Sequence, residues 1–165
     1  MIRSGGLRGY QALVRKLGGD PLPLLRRHRI PPESLDDEDA LIPLRALMTL
    51  LEETAGLLDC PDFGMRLAQT QDISILGPVA VAIQHSATAA EGLACASRYL
   101  FVHSPAIVFS VLPVATPAPG GVAQAELRFE VLLPDLPVAR QSTELSLGVS
   151  HRMMQLLGRE DYRLL

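Results

Sequence analysis

The sequence predicts an α+β domain that is mostly helical and carries a small antiparallel β-hairpin packed on its helices. Apolar residues recur at helical spacing over most of the N-terminal half and again near the C-terminus. Between these regions the spacing changes to strict alternation, which is typical of strands. With 165 residues, 48% of them hydrophobic and 20% charged, the chain has the composition of one globular domain. We therefore expect residues 1–165 to form a single domain.

Two short helices are predicted at the N-terminus. Leu7 to Leu17 has apolar residues at near-helical spacing, and Gly18-Gly19 supplies the stop expected after a helix C-terminus. Asp20 followed by Pro21 is typical of an N-cap with proline in the first turn, so a second helix should begin there. That helix ends in a basic cluster at 26–29, which we assign to the helix dipole rather than to phosphate binding.

An acidic run precedes the long helix of this half. The carboxylates at 36–39 lack the alternate spacing of calcium ligands, so we expect a solvated loop. Pro43 then begins a long helix. One apolar stripe of this helix should face the core, formed by Leu44, Leu47, Met48, Leu51 and Leu58.

Two more helices are expected before residue 88. The segment from Asp62 to Gln71 predicts a short amphipathic helix. The next helix has apolar residues all round and should be buried on most sides. Its residues at helical spacing are Leu76, Val79, Ala80 and Ile83.

A capping box begins the following helix. Thr88 can accept a hydrogen bond from a first-turn amide, while Glu91 reaches back to the N–H of the cap residue. We expect this helix to run to about Tyr99 or Phe101.

Two strands follow, separated by a loop rich in proline and glycine from Pro113 to Val122. The first strand places Ile107, Phe109 and Val111 on one face. The second alternates apolar with charged residues, its apolar positions being Ala125, Leu127, Phe129 and Val131. A lone two-stranded sheet is marginally stable, so the apolar face should pack on the helices or pair with further strands.

The last helix is expected from about Val138 to Leu157. One face carries Leu145, Val149, Met153 and Leu156. Leu147 and Met154 lie off that stripe, which predicts a helix covered on two sides, the second time by another element or subunit.

Charge and composition exclude several classes of protein. The net charge is −3 and the pI is about 5.8, with Lys16 the only lysine among 15 basic residues, which argues against a polyanion-binding surface. Cys60 and Cys95 are too few and too distant for a disulfide framework or a zinc site, which favours a reducing cytoplasm. The uncharged stretches at 73–90 and 99–125 contain polar residues or several prolines, so we expect no membrane span.

The sequence contains no motif of known catalytic chemistry. The four histidines stand apart from other metal ligands, no Gly-x-Ser-x-Gly turn occurs, and the glycine pairs are not phosphate loops. The adjacent Glu52 and Glu53 should point to different sides of their helix. We therefore expect a binding or assembly module with no enzymatic activity, cofactor or metal.

Several short strings occur in an order and spacing that resembles one known family. The most specific is Phe63 to Ala68, which follows the leucine-rich helix. The others are Leu17-Gly18, Asp20-Pro21, Leu24-Leu25, Ile42-Pro43-Leu44, Leu50-Leu51-Glu52, Leu76-Gly77, Ser86-Ala87-Thr88, Arg98-Tyr99 and Leu156-Leu157-Gly158. From about Leu7 to Gly158 the chain resembles the N-terminal effector-sensing, arabinose-binding-type domain of AraC/XylS-family bacterial transcription regulators. It departs from the family pattern at Ala87, where proline is usual, and at Ala89, where leucine is favoured.

The resemblance implies a regulatory domain that senses a small-molecule effector and commonly forms a homodimer. In that family a C-terminal pair of helix-turn-helix motifs binds DNA, and nothing in this sequence resembles that module. DNA would then be bound only through a C-terminal domain that is missing here. The family's sensor domain also continues with a histidine-proline motif and a strand, so we expect the chain to be truncated before that segment.

Four polar side chains are candidates for effector binding, since ligand pockets combine apolar walls with a few polar groups. Arg98, Tyr99 and His103 lie near the junction between a helix and the first strand, and Arg140 precedes the last apolar stripe. The alternative function is a constitutive oligomerisation or protein-interaction module without an effector, in which apolar helix faces and the hairpin edge form the interface.

Overall fold

The structure is a computed structural model that describes residues 1–113 and 125–158. Its α-helices are α1 Tyr10–Lys16, α2 Pro21–Arg27, α3 Leu44–Leu57, α4 Phe63–Gln69, α5 Pro78–Gln84, α6 Ala89–Tyr99 and α7 Arg140–Gly158. Its strands are β1 Ile2–Arg3, β2 Leu41–Ile42, β3 Ile107–Pro113 and β4 Ala125–Val131. Short 3₁₀ turns occupy Ser4–Leu7, Pro32–Leu35, Ile73–Leu76 and Leu100–Val102. The predicted fold class, mostly helical α+β, is confirmed.

The first helix begins later than the spacing predicts. Ser4–Leu7 forms a 3₁₀ turn, and α1 begins only at Tyr10. Gly9 between them has a φ of 80°, and a Cβ there would lie 2.3 Å from Oγ1 of Thr70. The left-handed residue therefore interrupts the helix and lets the chain pass close to α4.

Both predicted helix caps are present. Oδ1 of Asp20 accepts a hydrogen bond from the N–H of Leu22 at 3.0 Å and begins α2. Oγ1 of Thr88 accepts from the N–H of Glu91 at 3.2 Å at the start of α6. The Glu91 carboxylate accepts at 3.0 Å from the N–H of Ala87, one residue before the expected donor.

The acidic run at 36–39 lies in a loop, as predicted, and it also holds the N-terminus in place. Arg8 donates from Nε to Glu38 at 2.5 Å, and Arg3 pairs with Asp39. The hydrogen bond from Arg8 lowers the pKa of Glu38. The run is thus an ion-paired contact between the first residues and the loop before α3.

A two-stranded sheet that the sequence analysis did not predict fixes the N-terminus. β1 and β2 pair antiparallel, with Ile2 opposite Ile42. The N–H of Arg3 donates to the carbonyl of His103 at 3.0 Å. Strands of two residues are too short to produce a readable alternation, so only the fold reveals them.

Helix α3 lies at the centre of the core. Its buried stripe contains Leu44, Leu47, Met48 and Leu51, as predicted. Leu58 follows the last helical residue and is only half-buried.

Three side chains, which we call the Tyr10 cluster, join α1, α3 and α4. They are Tyr10, Thr54 and Phe63, each 0% exposed. The Tyr10 hydroxyl lies 2.8 Å from Oγ1 of Thr54, which donates to the carbonyl of Leu50 at 2.7 Å. The rings of Tyr10 and Phe63 meet edge to face with centroids 5.9 Å apart. Burial raises the pKa of Tyr10 to about 12.

Helices α4 and α7 pack closely through two glycines, a contact we call the α4–α7 seam. A Cβ on Gly64 would lie 2.0 Å from the carbonyl oxygen of Gln141, and one on Gly148 would lie 2.4 Å from Cβ of Ala68. The N–H of Gly64 donates to Oε1 of Gln141 at 2.8 Å, and the N–H of Gln141 donates to Glu52 at 2.6 Å. The seam therefore fixes the position of the first turns of α7.

Two burial predictions are wrong. α5 is not buried on most sides: Val81 is 55% exposed because α6 and the turn at Ile73–Leu76 cover only one side of this helix. In α7, Leu145, Val149 and Met153 are buried as predicted, but Leu156 is 48% exposed. The next residue, Leu157, packs against Gly92 of α6 instead, so the buried stripe continues from Leu145 at intervals of four residues.

The predicted antiparallel hairpin is confirmed. β3 and β4 pair with Phe109 opposite Phe129 and Ile107 opposite Val131, and their apolar face packs on the helices. No further strand joins β3 or β4 within residues 1–113 and 125–158. The predicted loop from Pro113 to Val122 lies, after Pro113, outside the described residues. Among the described helices, none is both long and apolar enough to cross a bilayer.

Candidate ligand-binding cavity

A cavity of about 90 Å³ lies between the hairpin, the N-terminal segment and helices α3, α6 and α7, and it opens partway to the surface. Its apolar wall is formed by Ile2, Leu44, Leu47, Met48, Ile75, Leu76, Ala96, Leu100, Ile107, Phe109, Phe129, Val131, Leu145, Val149 and Met153. Its polar side chains are Gln71, His103, Ser142, Thr143, Ser146 and Ser150. The described part of the wall contains no Asp, Glu, Lys or Arg.

The periodicity of the sequence explains the apolar wall. In a strand, every second side chain points to the same face, so Ile107 and Phe109 line the cavity together with Phe129 and Val131 of the paired strand. The stripe of α3 supplies the opposite side.

Gln71 is the most deeply buried polar group of the wall, with 1% of its surface exposed. It follows the end of α4, where its N–H donates to the carbonyl of Ala68 at 3.1 Å. Its Nε2 donates to the carbonyls of Gly6 and Arg8, both at 3.0 Å. Its Oε1 accepts no hydrogen bond from the described residues. The side chain therefore has both donors bound and its acceptor free.

His103 follows the 3₁₀ turn at Leu100–Val102 and is 6% exposed. Its Nδ1 has no hydrogen-bond partner among the described residues. Burial lowers the pKa of the ring to about 4, the charge of Arg3 lowers it further, and a hydrogen bond with the backbone of Ile75 partly opposes both. The ring is therefore neutral near pH 7.

Serine side chains line the α7 side of the cavity. Ser142, Ser146 and Ser150 are four residues apart and lie on one face of the helix. Ser142 donates to the carbonyl of Ala139 at 3.0 Å, and Ser146 donates to the carbonyl of Ser142 at 2.9 Å. Because these two hydroxyls donate to their own helix, they present acceptor lone pairs to their surroundings.

The structure brings one of the four sequence-predicted binding residues into the cavity wall, and that residue is His103. Arg98 and Tyr99 lie at the exposed end of α6, where Ala96 and Leu100 take the cavity side. Arg140 is exposed and donates to Glu144 at 2.8 Å. The four residues therefore do not form one group.

Gln71 is the functional candidate that the sequence analysis missed. It marks the expected end of an amphipathic helix, and no local motif distinguishes it from a surface glutamine. Its partners are 65 and 63 residues away in sequence, so only the folded chain identifies it as buried.

Comparison with known families gives the class of protein. Residues 18–165 match the family described as the arabinose-binding domain of AraC transcription regulator, N-terminal. The chain belongs to this family, as the sequence resemblance predicted.

The chain is also similar to an individual transcription regulator, found in two strains of one bacterium. The chain is 46% identical over 160 residues to the HTH-type transcriptional regulator VirS of Mycobacterium tuberculosis, in both strain CDC 1551/Oshkosh and strain H37Rv. The match covers 96% of this chain and 45% of each relative. The chain thus spans less than half the length of the regulators it matches.

Proposed function

We propose that this chain is the ligand-sensing and dimerising domain of an AraC-type transcription regulator, and that its effector binds in the cavity. The observation that carries the proposal is that two residues of the wall, Gln71 and His103, each hold a buried polar atom without a partner among the described residues, namely Oε1 and Nδ1. A buried polar atom left unpaired destabilises a protein by about 1–3 kcal/mol, so a ligand that bonds to it gains affinity. Membership of a family of regulators supports a sensing role over catalysis.

Helix α7 is the element through which we propose that binding is transmitted. Its serine face lines the cavity, and the α4–α7 seam connects it to the rest of the core. An effector that contacts α7 favours one arrangement of this helix over another. In the proposed full-length regulator, that shift would alter the geometry of a C-terminal DNA-binding domain.

The proposed dimer interface involves the exposed apolar side chains at the end of α6 and along α7. Phe101 is 59% exposed and Leu147 is 56% exposed. This exposure also favours the second candidate function, a constitutive oligomerisation module without an effector. The effector contacts expected of Arg98, Tyr99 and Arg140 stay predictions beside the contact proposed for His103.

The test is a thermal-shift panel of amino acids, organic acids, lipids and small alcohols on the full-length regulator that carries this domain. We expect one chemical class to raise the melting temperature, since a ligand that binds only the folded state stabilises it. Ser146→Leu, which fills the cavity from α7, should abolish that rise. Ser97→Leu, on the exposed side of α6, is the matched control and should preserve it.

Sedimentation separates the two candidate functions. A dimer whose melting temperature responds to no compound of the panel would favour the constitutive module. A response that survives Ser146→Leu would place the effector outside the cavity.

A further inference from the structure

We infer that the cavity selects a small, uncharged, apolar molecule that carries a hydroxyl group and donates its hydrogen to Gln71 or His103. The inference rests on the proposed function for the biological role of the site. The choice of ligand chemistry rests on the wall itself.

The orientation of Gln71 makes its free atom an acceptor. Oxygen and nitrogen of a side-chain amide are assigned from their partners, and here both partners of Nε2 are carbonyl oxygens at 3.0 Å. Carbonyls only accept, so the amino group must face Gly6 and Arg8, and the oxygen must face away from them. A ligand can satisfy this oxygen only with a donor.

His103 presents a second acceptor. Burial lowers the pKa of the ring to about 4, so the ring is neutral near pH 7, and a neutral imidazole has one N–H and one bare nitrogen. The nitrogen without a partner among the described residues is Nδ1. In either tautomer, the ring nitrogen that carries no hydrogen presents a lone pair, so the neutral ring supplies one acceptor.

The wall offers a charged ligand no counter-ion of either sign, since its described residues include no Asp, Glu, Lys or Arg. A carboxylate would be placed against two acceptor atoms in a wall whose described residues include no cation. The nearby guanidinium of Arg3 is not among the residues of the wall; it pairs with Asp39, and its buried Nε has no partner among the described residues. Burying a charge without a partner costs far more than burying a neutral hydroxyl that donates a hydrogen bond.

The size of the cavity limits the part of the ligand that enters it. A volume of about 90 Å³ is smaller than the ~150 Å³ cavity that holds benzene. A short alcohol fits, and a longer alcohol would extend through the opening. The aromatic and aliphatic side chains of the wall, including Phe109 and Phe129, suit an alkyl chain.

The experiment compares 1-butanol with methyl propyl ether, an isomer that has an oxygen but no donor, and with butanoate, which carries charge. Binding to the full-length protein is titrated by saturation-transfer NMR. We expect 1-butanol to bind about tenfold more tightly than either control, the difference of one hydrogen bond to a buried acceptor. Equal binding of the ether, or tighter binding of butanoate, would overturn the inference.

The same substitution at two histidines, one in the cavity wall and one at the surface, gives a variant and its matched control. His103→Phe keeps a ring and removes both ring nitrogens, so it should weaken 1-butanol binding if the hydroxyl donates to His103 and leave it unchanged if the hydroxyl donates to Gln71, while ether binding stays unchanged in both cases. His85→Phe makes the same change at an exposed position beyond α5 and should leave the preference for 1-butanol intact. If His103→Phe fails to fold, the comparison of the two isomers on the unmodified protein still decides.

The outcomes also separate this inference from the proposed function. If none of the three probes binds while another compound of the thermal-shift panel does so and depends on Ser146, the ligand chemistry is wrong and the sensing role stands. If 1-butanol shows the expected preference while no compound alters DNA binding by the full-length protein, the chemistry stands and the sensing role fails.

Discussion

The Tyr10 cluster and the cavity both bury polar side chains between helices, but only the cluster satisfies them. The Tyr10 hydroxyl bonds to Thr54, which bonds in turn to the carbonyl of Leu50. In the cavity, Oε1 of Gln71 and Nδ1 of His103 have no partner among the described residues. A satisfied network stabilises one packed arrangement, whereas unsatisfied atoms lower stability and favour an added ligand.

The α4–α7 seam joins these two regions, and adding a methyl group to one of its glycines should have the largest effect on stability. Gly64→Ala places a methyl group 2.0 Å from the backbone oxygen of Gln141, where no side chain can rotate away. We expect a loss of about 3 kcal/mol in the free energy of unfolding, measured by urea denaturation.

Gly56→Ala is the matched control for the seam. Gly56 lies in α3 with no atom within 4 Å of the added Cβ, so we expect a gain of about 0.5–1 kcal/mol. Equal effects of the two substitutions would show that the seam is looser than its geometry indicates.

Lowering the pH should reduce the free energy of unfolding through His103 in the cavity wall. Tyr10 in the cluster has a pKa of about 12 and stays protonated throughout. His103 has a pKa of about 4 in the folded state against the ordinary histidine value of 6.5, so the unfolded chain binds more protons between these values. Stability is therefore fully present above pH 6.5 and declines as the pH falls toward 4. From pH 7 to pH 5 the loss is about 2 kcal/mol.

Denaturation curves at the two pH values measure this effect. His103→Phe should remove most of the dependence, because Glu38 and Asp72 have lowered pKa values and stay ionised at pH 5. A pH dependence that persists in the variant would assign it to another group.

Deleting the satisfied hydroxyl of the cluster should cost about 1 kcal/mol. Tyr10→Phe keeps the ring contact with Phe63 and removes the hydrogen bond to Thr54, which still donates to Leu50. Thermal unfolding at pH 7 provides the measurement. No loss of stability would mean that the hydroxyl pair contributes nothing beyond packing.

Deleting the unsatisfied atom of the cavity should have the smallest effect. At pH 7, His103→Phe removes a buried nitrogen without a partner among the described residues, and it also removes the ring's hydrogen bond with the backbone of Ile75. Because the two changes oppose each other, we expect stability to stay within about 0.5 kcal/mol. A loss as large as that of Tyr10→Phe would contradict the distinction between the two regions.

Local patterns predicted most elements of the fold because their causes lie within one turn or one strand. Asp20 and Thr88 cap helices through atoms two or three residues away, and alternation placed Phe109 and Phe129 on the inner face. The prediction that Glu52 and Glu53 point apart is also confirmed, since Glu52 bonds to Gln141 and Glu53 to Arg27 and His28.

The cavity was predictable only in part. His103 was selected for its position beside a strand, a reason that applied equally to Arg98 and Tyr99, although only His103 lines the wall. The spacing alone did not show whether the α7 stripe continues to Leu156 or Leu157, because a helix advances 3.6 residues per turn and neighbouring positions share a face.

The sequence by itself determined the helices, the hairpin, most positions of the apolar stripes and the family, because these depend on residue order and near-neighbour chemistry. The tertiary structure decided which polar atoms find partners. Gln71 meets Gly6 and Arg8, and Gly64 meets Gln141, across more than 60 residues of chain. No periodicity encodes such pairings, since they arise only when packed elements bring distant backbone groups within hydrogen-bond range.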